Sequence, residues 1–252
     1  MAKKQERRIA VLLVLALALA MLVFSRAREA APRPTPRADG VELILPPREA
    51  GAETPQVYDD LPELDISSWE YLLVNQAHNI GRYAPEVEQI AGTSSYFDVR
   101  ALDALNALLQ AARDAGYTPH VYVGYRSYVI QSQQFDRQVT EFLNQGYSEL
   151  DAEKAAAEIV AEPGTSEHQS GLGVDILDRY TETLSGFEMD ANFAAWLREN
   201  CVTYGFVARY PEEKISVTGR YEPWHVRYVG AVAAQFMTEH DLALEEFVAL
   251  YR

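Results

Sequence analysis

Asp175 constrains what this chain can fold into more than any other residue. It stands between Val174 and Ile176 in a short apolar run, Gly173 to Leu177, that reads as a strand. A carboxylate buried in such a strand is costly unless it meets a partner, and a metal supplies one. His168 lies seven residues upstream, with Gly171 and Gly173 between. That spacing does not put the two side chains on one helix face, which needs three or four residues. It fits a loop turning into a strand, the glycines permitting a tight backbone path.

A second segment, Glu222-Pro223-Trp224-His225-Val226-Arg227-Tyr228, offers another histidine with a glutamate three residues before it. On a regular strand these two would point to opposite faces, so a bend at Pro223 is needed to bring both to one site. Each segment has an ordinary reading when taken alone. His168 fits a surface loop, and Glu222 fits an ion pair with Arg220 or Arg227. Together they supply two of the chain's five histidines, an aspartate and a spare carboxylate. That is the set a catalytic zinc site needs: three protein ligands, an open position and a base.

The N-terminus reads as an export signal. Lys3, Lys4, Arg7 and Arg8 precede an uncharged apolar run from Ile9 to Phe24. Arg26 and Arg28 make a poor cleavage region and favour an uncleaved anchor with the C-terminal bulk outside, though cleavage stays open. Residues 29–65 are rich in proline, alanine and charge and read as a flexible tether, with a short strand possible at 41–45. Residues 1–28 hold six basic residues and one acidic one, so the formal charge of −15 becomes −20 over the remainder. A surface this acidic argues against nucleic-acid binding. The single Cys201 cannot form an internal disulfide, and its apolar setting suits a buried inert thiol.

The folded domain is expected over 66–252, opening with a strand near Tyr71 to Asn75. The periodicity predicts helices at 98–115, 129–143, 149–161, 190–204, 230–240 and 242–250. Strands are expected at 118–125, 173–177, 206–209 and 224–228. Without a regular βαβ alternation, the class is α+β, a small antiparallel sheet with flanking helices carrying the zinc site. His120 shares a strand with Arg126 and could face the site, although a satisfied histidine is the better reading. His78 and His240 read as surface residues.

Ser166-Glu167-His168-Gln169-Ser170-Gly171 through Asp175, and Glu222-Pro223-Trp224-His225-Val226-Arg227-Tyr228-Val229-Gly230, resemble the signatures of the VanY-type D-alanyl-D-alanine carboxypeptidases. Gly124-Tyr125-Arg126-Ser127-Tyr128 with Gln131 is a third match, and Leu72-Leu73-Val74-Asn75 a weaker one. These are zinc peptidases of the bacterial cell wall, related in fold to lysostaphin-like peptidases and the hedgehog domain. One departure is Gly173, where that family more often carries alanine, a difference of packing rather than chemistry. The resemblance implies that His168, Asp175 and His225 hold one zinc and that Glu222 is the general base. It implies that Arg126 polarises the scissile carbonyl, and that Ser127, Gln131 and Ser166 hold the substrate terminus. The implied activity is removal of the C-terminal D-alanine from peptidoglycan stem peptides by an anchored or secreted enzyme. The alternatives are L,D-carboxypeptidase action on tetrapeptide stems, an endopeptidase cutting within the stem, or a non-catalytic zinc-containing wall-binding module.

Overall fold

The computed structural model describes residues 58–184 and 187–251. The apolar run at 9–24 and the expected strand at 41–45 lie outside them. Among the described residues no helix is long and apolar enough to cross a membrane. Residues 58–65, assigned to the tether by composition, carry Tyr58, Leu61 and Leu64, which pack against an apolar cluster that includes Phe236 and Phe247.

Two antiparallel sheets form. A hairpin of β1 (Val87–Gln89) and β2 (Tyr96–Asp98) comes first, and periodicity gave no sign of strands this short. The second sheet comprises β3 (His120–Val123), β4 (Gly173–Leu177), β5 (Phe206–Tyr210) and β6 (Glu222–Tyr228), in the order β3-β4-β6-β5. Around them lie α1 (Leu102–Asp114), α2 (Tyr128–Asn144), α3 (Glu149–Ala157), α4 (Ala191–Asn200), α5 (Ala231–Glu239) and α6 (Leu244–Ala249). The α+β class is therefore as expected, with small antiparallel sheets and flanking helices.

The helix expected at 190–204 ends at Asn200 and continues as a 3-10 turn over Cys201–Tyr204. Three further expected elements differ, each for a local reason. The strand expected near Tyr71 to Asn75 is a single 3-10 turn, Trp69–Tyr71, followed by chain that pairs only at an isolated Asn75–His78 bridge. The carbonyls of Glu70 and Leu72 instead accept hydrogen bonds from the buried Arg227 guanidinium, at 3.0 and 2.8 Å. Helix α1 starts at Leu102 rather than Asp98, because Asp98 ends β2 and its carboxylate caps the Arg100 N–H at 2.9 Å. Helix α3 stops at Ala157, short of Ala161. Pro163 disfavours helix just before it, and the Ala161 carbonyl accepts from Gln131 Nε2.

The four-stranded sheet has two unlike faces, because strand side chains alternate. Val174, Ile176, Val226 and Phe206 belong to one buried cluster with Leu105, Leu108 and Leu109 of α1 and with Phe193 and Leu197 of α4. The residues between them, Asp175, His225 and Arg227, are charged or polar and equally buried. Asp175 pairs directly with His225 across β4 and β6, and Gly173 with Arg227. One face of the sheet thus builds the core and the other builds a buried polar site.

Candidate metal centre

Three elements bring the ligands together. Glu167–Ser170 forms a 3-10 turn holding His168. Gly171 ends it at φ 75°, a left-handed conformation that glycine adopts without steric cost. The chain then enters β4, where Asp175 faces the site. His225 follows from the β6 register.

Ligand atoms of His168, Asp175 and His225 lie within 4.8 Å of one another, and all three residues are buried. His168 Nε2 is 3.4 Å from Asp175 Oδ2, and His225 Nδ1 is 2.8 Å from Asp175 Oδ1. His168 Nδ1 lies 3.0 Å from the Gly124 carbonyl, which can only accept, so this nitrogen carries the proton. The lone pair of His168 Nε2 therefore faces a carboxylate oxygen. Two acceptors facing each other in a buried site call for a cation between them, and two imidazoles with a carboxylate are a donor set zinc accepts.

The electrostatics agree. Burial depresses the basicity of His168, outweighing the attraction of Asp175. For His225 burial acts in the same direction, but hydrogen bonds to Asp175 and Glu167 outweigh it and push the imidazole up to about 9. Asp175 is held well below the usual carboxylate range: burial opposes ionisation, and His168 and His225 overcome it.

Glu222 reaches this centre through a bulge. Tyr210 pairs with Glu222, yet Ala208 pairs with Val226, so β6 spends four residue steps where β5 spends two. The extra residues replace the simple bend expected at Pro223 and bring Glu222 to the same side as His225, Oε2 lying 3.8 Å from Nδ1. Its side chain is 26% exposed, against 6% for Asp175. Glu222 also lies 3.5 Å from Arg220 Nη1, one of the two partners its ordinary reading named; Arg227 is engaged elsewhere.

Arg126 follows β3, and its N–H donates to the His168 carbonyl at 3.0 Å. Its guanidinium donates to Gln134 Oε1 at 2.7 Å and to Ser166 Oγ at 3.3 Å. Burial disfavours its charge, and the negative charges of Asp175 and Glu222 work against that loss. Ser127 caps α2 by accepting the Ile130 N–H at 3.3 Å. Gln131 is fully buried and leaves its Oε1 without a partner. His120 stacks edge-on against Tyr180. His78 meets Asn75 and His240 meets Asp60, away from the cluster. Trp224 is half-buried, edge-on to Phe187.

Sequence reasoning missed Glu167, Arg209 and Arg227 as members of the site. The signal was present, since Arg209 and Arg227 are charges inside apolar strands, the same anomaly that marked Asp175. The role of Gly173 also changes. A Cβ there would come 2.8 Å from His225 Nε2, so this glycine is the floor on which the histidine ring rests.

A small antiparallel sheet presenting a His-Asp-His set with a partly open glutamate beside it defines a metal-dependent hydrolase. The family described as VanY, D-alanyl-D-alanine carboxypeptidase, matches residues 94–231. The D-alanyl-D-alanine carboxypeptidase of Enterococcus faecalis (strain ATCC 700802 / V583) is 39% identical over 187 residues, 73% of this chain and 67% of that protein. VanYB, solved in complex with D-alanine-D-alanine, superposes with a TM-score of 0.62 at 37% identity, covering 73% of this chain and 100% of that one. A mutant of the D,D-pentapeptidase VanY from a VanB-type resistance cassette, solved with Zn(II), gives 0.61 at 39% identity, covering 72% and 99%. The chain belongs to the VanY D-alanyl-D-alanine carboxypeptidase family.

Proposed function

We propose that this chain is a zinc D-alanyl-D-alanine carboxypeptidase that removes the last residue of peptidoglycan stem peptides. The observation that carries the reading is the convergence of His168, Asp175 and His225 with Glu222 standing beside them, partly open to solvent. A binder that only displayed a metal would have no use for that second carboxylate.

His168 Nε2, His225 Nδ1 and an Asp175 oxygen would hold the zinc. When bound it supplies a Lewis acid that polarises the scissile carbonyl and brings the pKa of a water to about 7. Glu222 takes a proton from the attacking water as its oxygen adds to the carbonyl carbon. The same carboxylate returns that proton to the leaving D-alanine nitrogen as the peptide bond breaks. Arg126, fixed by Gln134 and Ser166, places a permanent positive charge where the carbonyl oxygen becomes negative. Ser127 and Ser166 keep hydroxyl protons for the substrate terminus. The unpartnered atom of Gln131 is an acceptor, which suits a substrate N–H.

The apolar run at 9–24, flanked by basic residues, supports placing the enzyme outside the cell, anchored or secreted, where the wall is. Protease accessibility of the domain on intact cells tests this.

Incubation of the zinc-loaded protein with defined pentapeptide and tetrapeptide stems, with products weighed, tests the activity. Loss of one alanine from the pentapeptide is expected, abolished by a chelator. An intact pentapeptide beside a shortened tetrapeptide moves the activity to the L,D class. No trimming of either, with zinc bound, leaves a wall-binding module.

A further inference from the structure

Glu167 is the most completely enclosed carboxylate of the site and no step of the reaction uses it. Its side chain is 1% exposed. Oε1 accepts from Arg209 Nε at 2.7 Å and from Arg227 Nη1 at 3.0 Å. Oε2 lies 3.4 Å from His225 Nε2, an ion-pair contact, and neither of those two buried atoms makes a hydrogen bond. Arg209 continues outward to both oxygens of Glu245 on α6, at 2.9 and 2.6 Å, and Glu245 accepts from Asn75 at 3.1 Å. Arg227 Nη2 is tied to the Glu70 and Leu72 carbonyls. The two arginines are fixed from behind, and they fix Glu167.

The geometry points to Glu167 as the positioning residue of the zinc centre, holding His225 with its proton on Nε2 so that Nδ1 is presented to the metal. This rests on the reading of His225 as a zinc ligand. A carboxylate oxygen can only accept, so with Nδ1 and Asp175 both given to the metal, Glu167 favours the Nε2–H form of the ring. It also fixes the plane of the ring and raises the basicity of the opposite nitrogen. His168 needs no such partner, because the Gly124 carbonyl holds its Nδ1–H at 3.0 Å. The two histidines are thus held by unlike partners, a backbone carbonyl for one and a buried carboxylate for the other. Only the second holder is a carboxylate, and two guanidiniums hold it in place. Gly173 lies against the same ring, and a Cβ there would come 2.8 Å from His225 Nε2, so the ring would have to shift to admit one.

The first test uses the unaltered protein. Nitrogen-15 spectra of the zinc-loaded chain should show His225 protonated at Nε2 with zinc on Nδ1, and His168 the reverse. His225 bound through Nε2 overturns the proposal. The second measures zinc affinity by chelator competition in the folded Glu167→Gln protein, which keeps the shape and loses the charge. Loss of a carboxylate that holds a metal-binding histidine weakens metal binding by about 10–100-fold, and a drop in that range is expected, with Glu167→Asp intermediate. A merely structural role would lower the melting temperature and leave the zinc dissociation constant within about twofold, which sinks the positioning claim. Should Glu167→Gln not fold, the nitrogen spectra still decide. A wild-type chain that takes no zinc at these residues removes the metal reading and this one with it; zinc bound normally but indifferent to Glu167 removes this one alone.

Discussion

Glu222 and Asp175 show how one residue type would do two jobs at one centre under the proposed function. Both are carboxylates within 4 Å of His225 Nδ1. Asp175 is buried and held ionised by its neighbours, which suits a ligand, while Glu222 is exposed enough to exchange protons with substrate and water. Glu222→Gln should therefore lower kcat by about 10²–10⁴-fold while zinc content stays near one per chain by metal analysis. Lost zinc would make Glu222 a ligand instead. Arg126 belongs to the same scale. Arg126→Ala should cost about 10²–10³-fold in kcat, the loss seen when an oxyanion donor is removed. Steady-state kinetics on a pentapeptide stem checks it, and an effect confined to KM would make Arg126 a binding group only.

At the scale of elements, α4 and the 3-10 turn after it pack the apolar face of the sheet, and Cys201 sits at their junction. Its thiol is buried, contacts the carbonyls of Arg198 and Phe206, and is pushed up to about 12 by burial. Because the folded value lies above the ordinary 9.0, the neutral thiol contributes stability that is complete below about pH 9 and erodes as the pH climbs toward 12. A thiol reagent at pH 8 should modify Cys201 only at the rate of unfolding, and at once in denaturant. Rapid labelling of the native protein would show that the junction opens. The β5–β6 bulge is the other decisive element, since a regular pairing would turn Glu222 away from His225.

At the scale of the whole molecule, a metal held by His168, Asp175 and His225 would join parts of the chain that are distant in sequence. It would link the turn at 167–170, β4 and β6, and through Arg209 the network reaches α6. Zinc at a hundred times its dissociation constant should add about 2.7 kcal/mol to folding. Each kcal/mol moves the melting temperature by roughly 2–4 °C in a domain of this size. Calorimetry with and without chelator should show that difference, and identical melting curves would mean the centre carries no metal.

Asp175, His168, His225 and Glu222 were legible because chemistry-bearing residues in short Gly- or Trp-containing segments break the local apolar pattern. Strands β3 to β6 and the six helices were legible for a related reason: burial of one face imposes a period that survives in the order of residues. The strand expected at Tyr71 to Asn75 gives way to chain whose Leu72 carbonyl, with that of Glu70 just before it, serves Arg227, a partner about 155 positions away. The sequence by itself determined the ligand types, the spare carboxylate and the class of fold, all of which follow from local composition and spacing. Only the tertiary structure decided which nitrogen of each histidine faces Asp175, that a bulge aims Glu222, and that Glu167 stands behind His225. Those depend on strand register and on pairs of buried charges whose partners lie far apart in the chain, and no local pattern encodes them.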